Sequence, residues 1–162
     1  MILTNRKLPS WYTNCYTRRQ IRQGLKDTME QEIPNNISNR LNKAVLDFVR
    51  DSSAHSDLTE ALMATVEPLG DVQVFCPDPS EYRYVVVSTK GIIFGFAIGM
   101  NTIAFRLNAP FNQRALATGG NAIPELGDEW VSFIPSRDDW PKVDLLFWAR
   151  KAYVYVRETK IV

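Results

Sequence analysis

YRYVVVSTKGIIFGFAIGMNTIAFRL, residues 82–107, is the stretch on which the reading of this chain turns. Residues 82–89 are rich in Tyr, Val and Thr, which suit a pleated, half-buried surface. Lys90-Gly91 predicts a tight turn, because Gly tolerates positive φ. Residues 92–98 predict a second strand, Gly99-Met100-Asn101 a second turn, and residues 102–107 a third strand. Side chains alternate across a strand, so a register can be tested on paper. Pairing Ile98 with Ile103 also pairs Phe96 with Phe105 and Phe94 with Leu107, and sets Val85 and Val87 beside Phe96 and Phe94. This register predicts one bulky apolar face. The reverse face then carries Gly95, Ala97, Ala104 and Arg106, with Tyr82, Tyr84 and Val86 at its side. A floor of small residues admits close approach. Either a helix lies on it, or a ligand does, with Tyr82 and Tyr84 stacking on a ring and Arg106 clamping an anion.

Outward from this stretch, Asp71–Cys76 alternates like a short strand, and Glu129–Ile134 reads as a last one, with Trp130 apart from the Val131–Phe133 face. Towards the N-terminus, helices are expected over 17–32, about 36–51 and about 57–67, the third with Asp57 and Glu60 as a capping pair. Ala109–Thr118 predicts a helix with Pro110 in its first turn and Gly119-Gly120 at its end. A terminal helix is expected from about Asp139 to Glu158, apolar nearly all round and so buried on more than one side. Helices and strands are segregated, which predicts an α+β fold. Its antiparallel sheet has about five strands (71–76, 82–89, 92–98, 102–107, 129–134), with three N-terminal helices and a C-terminal helix packed on it. The 162 residues suit a single domain, with a helical half over about 17–68 and a sheet-plus-helix half over about 71–158.

Net charge is only +1, but it is segregated: residues 1–26 carry +6, residues 27–81 carry −8 and residues 82–162 carry +3. The two cysteines, Cys15 and Cys76, make no CxxC and read as free thiols in a reducing compartment. No uncharged run reaches the roughly 20 residues of a membrane-spanning helix. The N-terminus, MILTNRK, lacks the pattern of a secretory signal, so a cytoplasmic location is expected.

The chemistry-bearing residues are sparse. His55 is the single histidine and sits in a polar loop, so neither a zinc site of the usual kind nor a Ser-His-Asp triad is expected. No glycine pattern precedes a helix as a phosphate loop requires. Asp138-Asp139 suits a helix start rather than catalysis. No cofactor and no metal is expected. Trp148 reads as core. Arg18, Arg22 and Lys26 recur at steps of four on the first expected helix, with Arg19 beside them and Trp11, Tyr12 and Tyr16 nearby. Such a stripe can meet phosphates or an acidic partner, with aromatics stacking on bases.

IIFGFAIGMNTIAFRL at 92–107, then Trp130-Val131-x-Phe133 and a helix ending in AYVYV, resembles the TfoX N-terminal domain and MmcQ/YjbR-like group of small α+β proteins. The likeness spans residues 82–158. It implies a module without a shared catalytic motif, in some members linked to DNA-related or regulatory roles. The expectation is therefore a non-catalytic cytoplasmic module that binds a protein partner or itself. Two alternatives remain: a nucleic-acid-associated module using Arg18, Arg19, Arg22 and Lys26, and a small-ligand protein or enzyme using Tyr82, Tyr84 and Arg106.

Overall fold

In the computed structural model of the protein, which describes residues 31–78, 83–134 and 144–159, Lys90 and Gly91 take φ of 50° and 75°. Positive φ at both central residues is the mark of a two-residue type I′ turn, whose twist matches that of the flanking strands. It joins β2 (Val85–Thr89) to β3 (Ile92–Ile98), as the sequence predicts. The other strands are β1 (Gln73–Phe75), β4 (Thr102–Arg106), β5 (Asn121–Ala122) and β6 (Trp130–Phe133). They form one antiparallel sheet in the order β1-β2-β3-β4-β6-β5. The fold is α+β with an antiparallel sheet, of six strands rather than five. The extra one, β5, is a two-residue edge strand too short to be legible in the sequence.

The expected register is displaced by one residue. Phe96 lies opposite Ala104 and Gly95 opposite Phe105, so Phe96 and Phe105 point to different faces. Between β2 and β3 the turn-proximal pairs Thr89–Ile92 and Ser88–Ile93 follow the expected register. The next pair is Val87–Gly95, which leaves Phe94 as the extra residue of a β-bulge. The bulge turns Phe94 and Gly95 to the same side. Phe94 then joins Val85, Val87, Ala97, Ile103, Phe105, Val131 and Phe133 on one face, while Phe96 joins Tyr84, Val86, Ile93, Ala104 and Trp130 on the other. Trp130 does stand apart from Val131 and Phe133. The glycine–alanine floor on a single reverse face does not form. The physical reason is that both faces are covered, so neither strand alternation nor solvent discriminates between them.

Four helices among the described residues do the covering: α1 (Lys43–Val49), α2 (Ser56–Val66), α3 (Ala109–Ala117) and α4 (Leu145–Glu158). The Phe94 face meets α2, α3 and α4 through Leu58, Leu62, Met63, Ala115, Trp148, Ala149 and Ala152. Its counterpart meets α1 through Val45, Leu46 and Val49, with Ile37 and Ile123 beside them. Three layers result, with β3 near the centre of the sheet and buried from Ile92 to Ala97.

The helix expected over 17–32 lies outside the described residues except for 31–32, which are irregular. The second expected helix is shorter than 36–51. Asn39 Oδ1 accepts from the amides of Leu41 and Asn42, at 3.1 and 3.2 Å. This local bonding offers the backbone an alternative to the helix, which begins only at Lys43. Fully buried Asn42 donates to Ile37 O and Gly91 O, both at 2.8 Å, and accepts from Ile93 N at 2.9 Å, tying this loop to the β2–β3 turn. Helix α2 is capped by His55, not by Asp57. The imidazole Nδ1 accepts from Asp57 N at 3.2 Å, and His55 N donates to Gly99 O at 2.9 Å. The terminal helix starts at Leu145 behind an Asp144 cap, while Asp138 and Asp139 lie outside the described residues. It is buried on one side only: Val154, facing away, is 48% exposed.

Cys76, at the end of β1, is disulfide-bonded rather than a free thiol. Cys15, the only other cysteine of the chain, lies outside the described residues.

Two outcomes follow. A Cβ on Gly95 would come within 3.0 Å of both Phe105 Cδ1 and Val87 Cγ2. Gly95→Val is therefore expected to lose about 1–3 kcal/mol of stability by overpacking, read from the midpoint of urea unfolding; an unchanged midpoint would contradict the bulge geometry. In denatured, unreduced protein Cys76 is expected to resist alkylation until reductant is added, as followed by peptide mass mapping.

Candidate functional site

Helices α3 and α4 meet at the end of the sheet formed by β5 and β6. Asn108 caps α3, accepting from Phe111 N at 3.4 Å, and Pro110 fits the first turn, where no amide is needed. The helix stops at Thr118, and Gly119 leaves it with φ 105°. Asp144 caps α4 by accepting from Phe147 N at 3.0 Å. The buried row Leu145, Trp148, Ala149, Ala152 and Val156 turns α4 onto the sheet. That leaves Phe147 and Lys151, one helical turn apart, on the flank towards α3.

An open cavity of about 420 Å³ lies in this seam, with Phe133, Phe147 and Trp148 among its walls. Trp148 stacks on Phe133, centroids 5.5 Å apart, and meets Phe147 edge-on at 4.9 Å. Phe111 closes on Phe147 at 6.3 Å. Two cations flank this group. The Arg114 guanidinium lies 5.3 Å and the Lys151 ammonium 5.4 Å from the Phe147 centroid, and Lys151 also sits 4.7 Å from that of Phe111. Neither cation forms an ion pair among the described residues. Ile134, 52% exposed, and the Asp144 carboxylate complete the rim.

A second cavity of about 330 Å³ lies beside α1, between Ile33, Leu46 and Tyr84. Two of its cations are already engaged: Lys43 and Arg50 each approach Asp47 at 2.7 Å, and the Lys43 hydrogen bond is the main cause holding the Asp47 carboxyl below its ordinary pKa.

The residues singled out from the sequence do not converge on either cavity as a set. Tyr82, Arg18, Arg19, Arg22 and Lys26 lie outside the described residues. Tyr84 is buried, its ring edge-on to Phe75 at 6.4 Å. Arg106, only 14% exposed, stands at the opposite end of the sheet from Tyr84. Its guanidinium meets Glu129 Oε2 through Nε at 2.9 Å and Nη2 at 2.8 Å, and Nη1 donates to Leu41 O at 3.4 Å. Glu129 Oε1 accepts from the Tyr155 hydroxyl. Ala97 is completely buried, and the space over Gly95 is taken by Phe105 and Val87. His55 is 41% exposed and acts as a helix cap. Trp148 is core, as expected, and is also a pocket wall. Among the described residues no group of His, Cys, Asp and Glu is arranged to hold a metal. The sequence reading missed Phe111, Arg114, Phe147 and Lys151. Their only signal is an aromatic followed by a cation one turn later, on each of two helices whose meeting is a tertiary fact.

No protein family, no curated protein and no solved structure matches this chain. Among the described residues no helix is long and apolar enough to cross a membrane.

Burial, reinforced by the hydrogen bond to Glu129, pushes the Tyr155 phenol from 10.0 up to about 12. Well below pH 10 the phenol is neutral in both folded and unfolded chains, and its contribution to stability is fully present. Between about pH 10 and 12 the unfolded chain ionises first, so that contribution falls as pH rises. Wild type is therefore expected to lose more stability across this window than Tyr155→Phe, measured by denaturant unfolding. Parallel curves would show that the burial of Tyr155 and its contact with Glu129 do not hold in solution.

Proposed function

We propose that the protein is a non-catalytic binding module whose partner, another protein, seats in the cavity between α3 and α4. The observation that carries this reading is the pair of cations, Arg114 and Lys151, held over the Phe147 ring without carboxylate partners among the described residues. Catalysis has less to draw on: Asp144, the acidic side chain lining this cavity, is committed to capping α4. The resemblance of residues 82–158 to the TfoX N-terminal and MmcQ/YjbR-like group supports the same reading, since that group shares no catalytic motif. Self-association is a second form of it, favoured by Leu116 and Val154, apolar side chains exposed on α3 and α4. The compartment belongs to the proposal too. The bridged Cys76 weighs towards an oxidising location over the reducing cytoplasm expected from the N-terminus.

Titration of isotope-labelled protein with a library of small aromatic fragments, followed by amide NMR shifts, tests the site. Shifts are expected at Arg114, Thr118, Phe133, Phe147 and Trp148. Shifts gathered around Leu46 and Tyr84, or chemical turnover of a fragment, would defeat the proposal.

A further inference from the structure

We infer that the partner segment is acidic and carries an aromatic or long aliphatic anchor, with the anchor entering the cavity and its carboxylates meeting Arg114 and Lys151. This rests on the binding site proposed above and names its specificity. An aromatic face attracts a cation by only about 0.5–1 kcal/mol at an exposed site, which does not replace a counter-charge. Arg114 and Lys151 approach the same ring at 5.3 and 5.4 Å, so they also repel each other. A guanidinium resting on a ring uses its flat face and keeps its N–H edge for bidentate contact with a carboxylate. Lys151, between Phe111 and Phe147, likewise keeps ammonium hydrogens available. Carboxylates drawn to these two cations would relieve the repulsion.

The remaining walls define the rest of the occupant. Phe133, Phe147, Trp148 and Ile134 offer apolar and aromatic surface, while the Asp144 carboxylate lines the same cavity and disfavours an anion beside it. The carboxylates therefore belong on the side of Arg114, which lines the cavity, towards Lys151, which lies beyond its walls over Phe111 and Phe147, and an uncharged anchor belongs deeper. About 420 Å³ sits at the low end for ligand pockets, suited to one large side chain rather than a whole helix. Nucleic acid fits less well, because affinity for a phosphate backbone is built from a longer series of cation contacts and here a carboxylate interrupts the site.

Fluorescence anisotropy on the full chain provides the test, with labelled short peptides that are alike except in charge and anchor: Asp/Glu with one Trp, the same with Asn/Gln, the same with Lys, and the acidic peptide with Trp→Ala. The acidic Trp peptide is expected to bind about tenfold more tightly than its Asn/Gln or Trp→Ala counterpart, and to weaken as salt rises. Arg114→Glu with Lys151→Glu is expected to reverse the preference towards the Lys peptide, and the milder Arg114→Gln with Lys151→Gln to abolish charge discrimination. Circular dichroism must show both variants folded, and gain of Lys-peptide binding is a readout that misfolding cannot produce. Equal binding of acidic and neutral peptides, or tighter binding of an oligothymidylate or of a free indole carboxylate, would overturn the inference. Fragment-induced shifts in the cavity without any peptide binding would overturn it too, yet leave the site standing. The chain itself carries Asp138-Asp139-Trp140 between Ile134 and Asp144. Acidic-peptide binding that appears only after these three are replaced by Asn, Asn and Ala would reassign the cavity to this segment and overturn a role for a partner.

Discussion

One extra residue in the central strand organises the molecule. Because Phe94 is bulged, it and Gly95 point to the same side, and strand alternation resumes out of phase with the β2–β3 turn. Phe94 and Phe105 then enter the core under α2 and α4, while Phe96 enters the core under α1, against Phe48 and Trp130. Gly95 is the residue that permits this, because a side chain there would collide with Phe105 and Val87. A bulge increases twist and redirects the strand locally. Here it divides large aromatics between two cores, and each core acquires a bulky centre that its helices can cover.

Polar ties keep the layers in one alignment. Fully buried Asn42 joins the loop before α1 to the β2–β3 turn through three main-chain groups, and these satisfy its own buried amide. At the same end of the sheet, Arg106 links β4 to Glu129 and to the Leu41 carbonyl, and Glu129 links on to Tyr155 of α4. This network touches elements on both faces of the sheet. Arg106 thus reads as a structural connector in this fold, and its apparent suitability as an anion clamp is used up by Glu129.

The proposed binding site depends on what these constraints leave over. Helix α4 is held to the sheet by small residues, Ala149 and Ala152, and by Trp148, so its next row of side chains falls beside α3. Phe147 and Lys151 occupy that row, and Phe111 and Arg114 face them. In the sequence these four residues are ordinary members of two amphipathic helices. Nothing in periodicity distinguishes an outward aromatic that lines a cavity from one that covers a core, so the site was not legible there. Tyr84 shows the converse: a residue suited to stacking on a ligand is instead buried by α1 and Phe75.

The sequence by itself determined the α+β class, the places of the hairpin strands and the turn at Lys90-Gly91, because strand propensity, turn φ and the Pro110 helix start act within a few residues. It also separated Trp130 from Val131 and Phe133, since alternation within one strand is a local property. Tertiary structure alone decided the register, the division of the phenylalanines, the shortened first helix and the pocket. Each of these depends on what lies across the chain. A strand buried on both faces carries no polar side to mark its register, the Asn39 and Asn42 amides reach Gly91 O only once the loop lies against the β2–β3 turn, and a cavity between two helices exists only once the sheet has set them side by side.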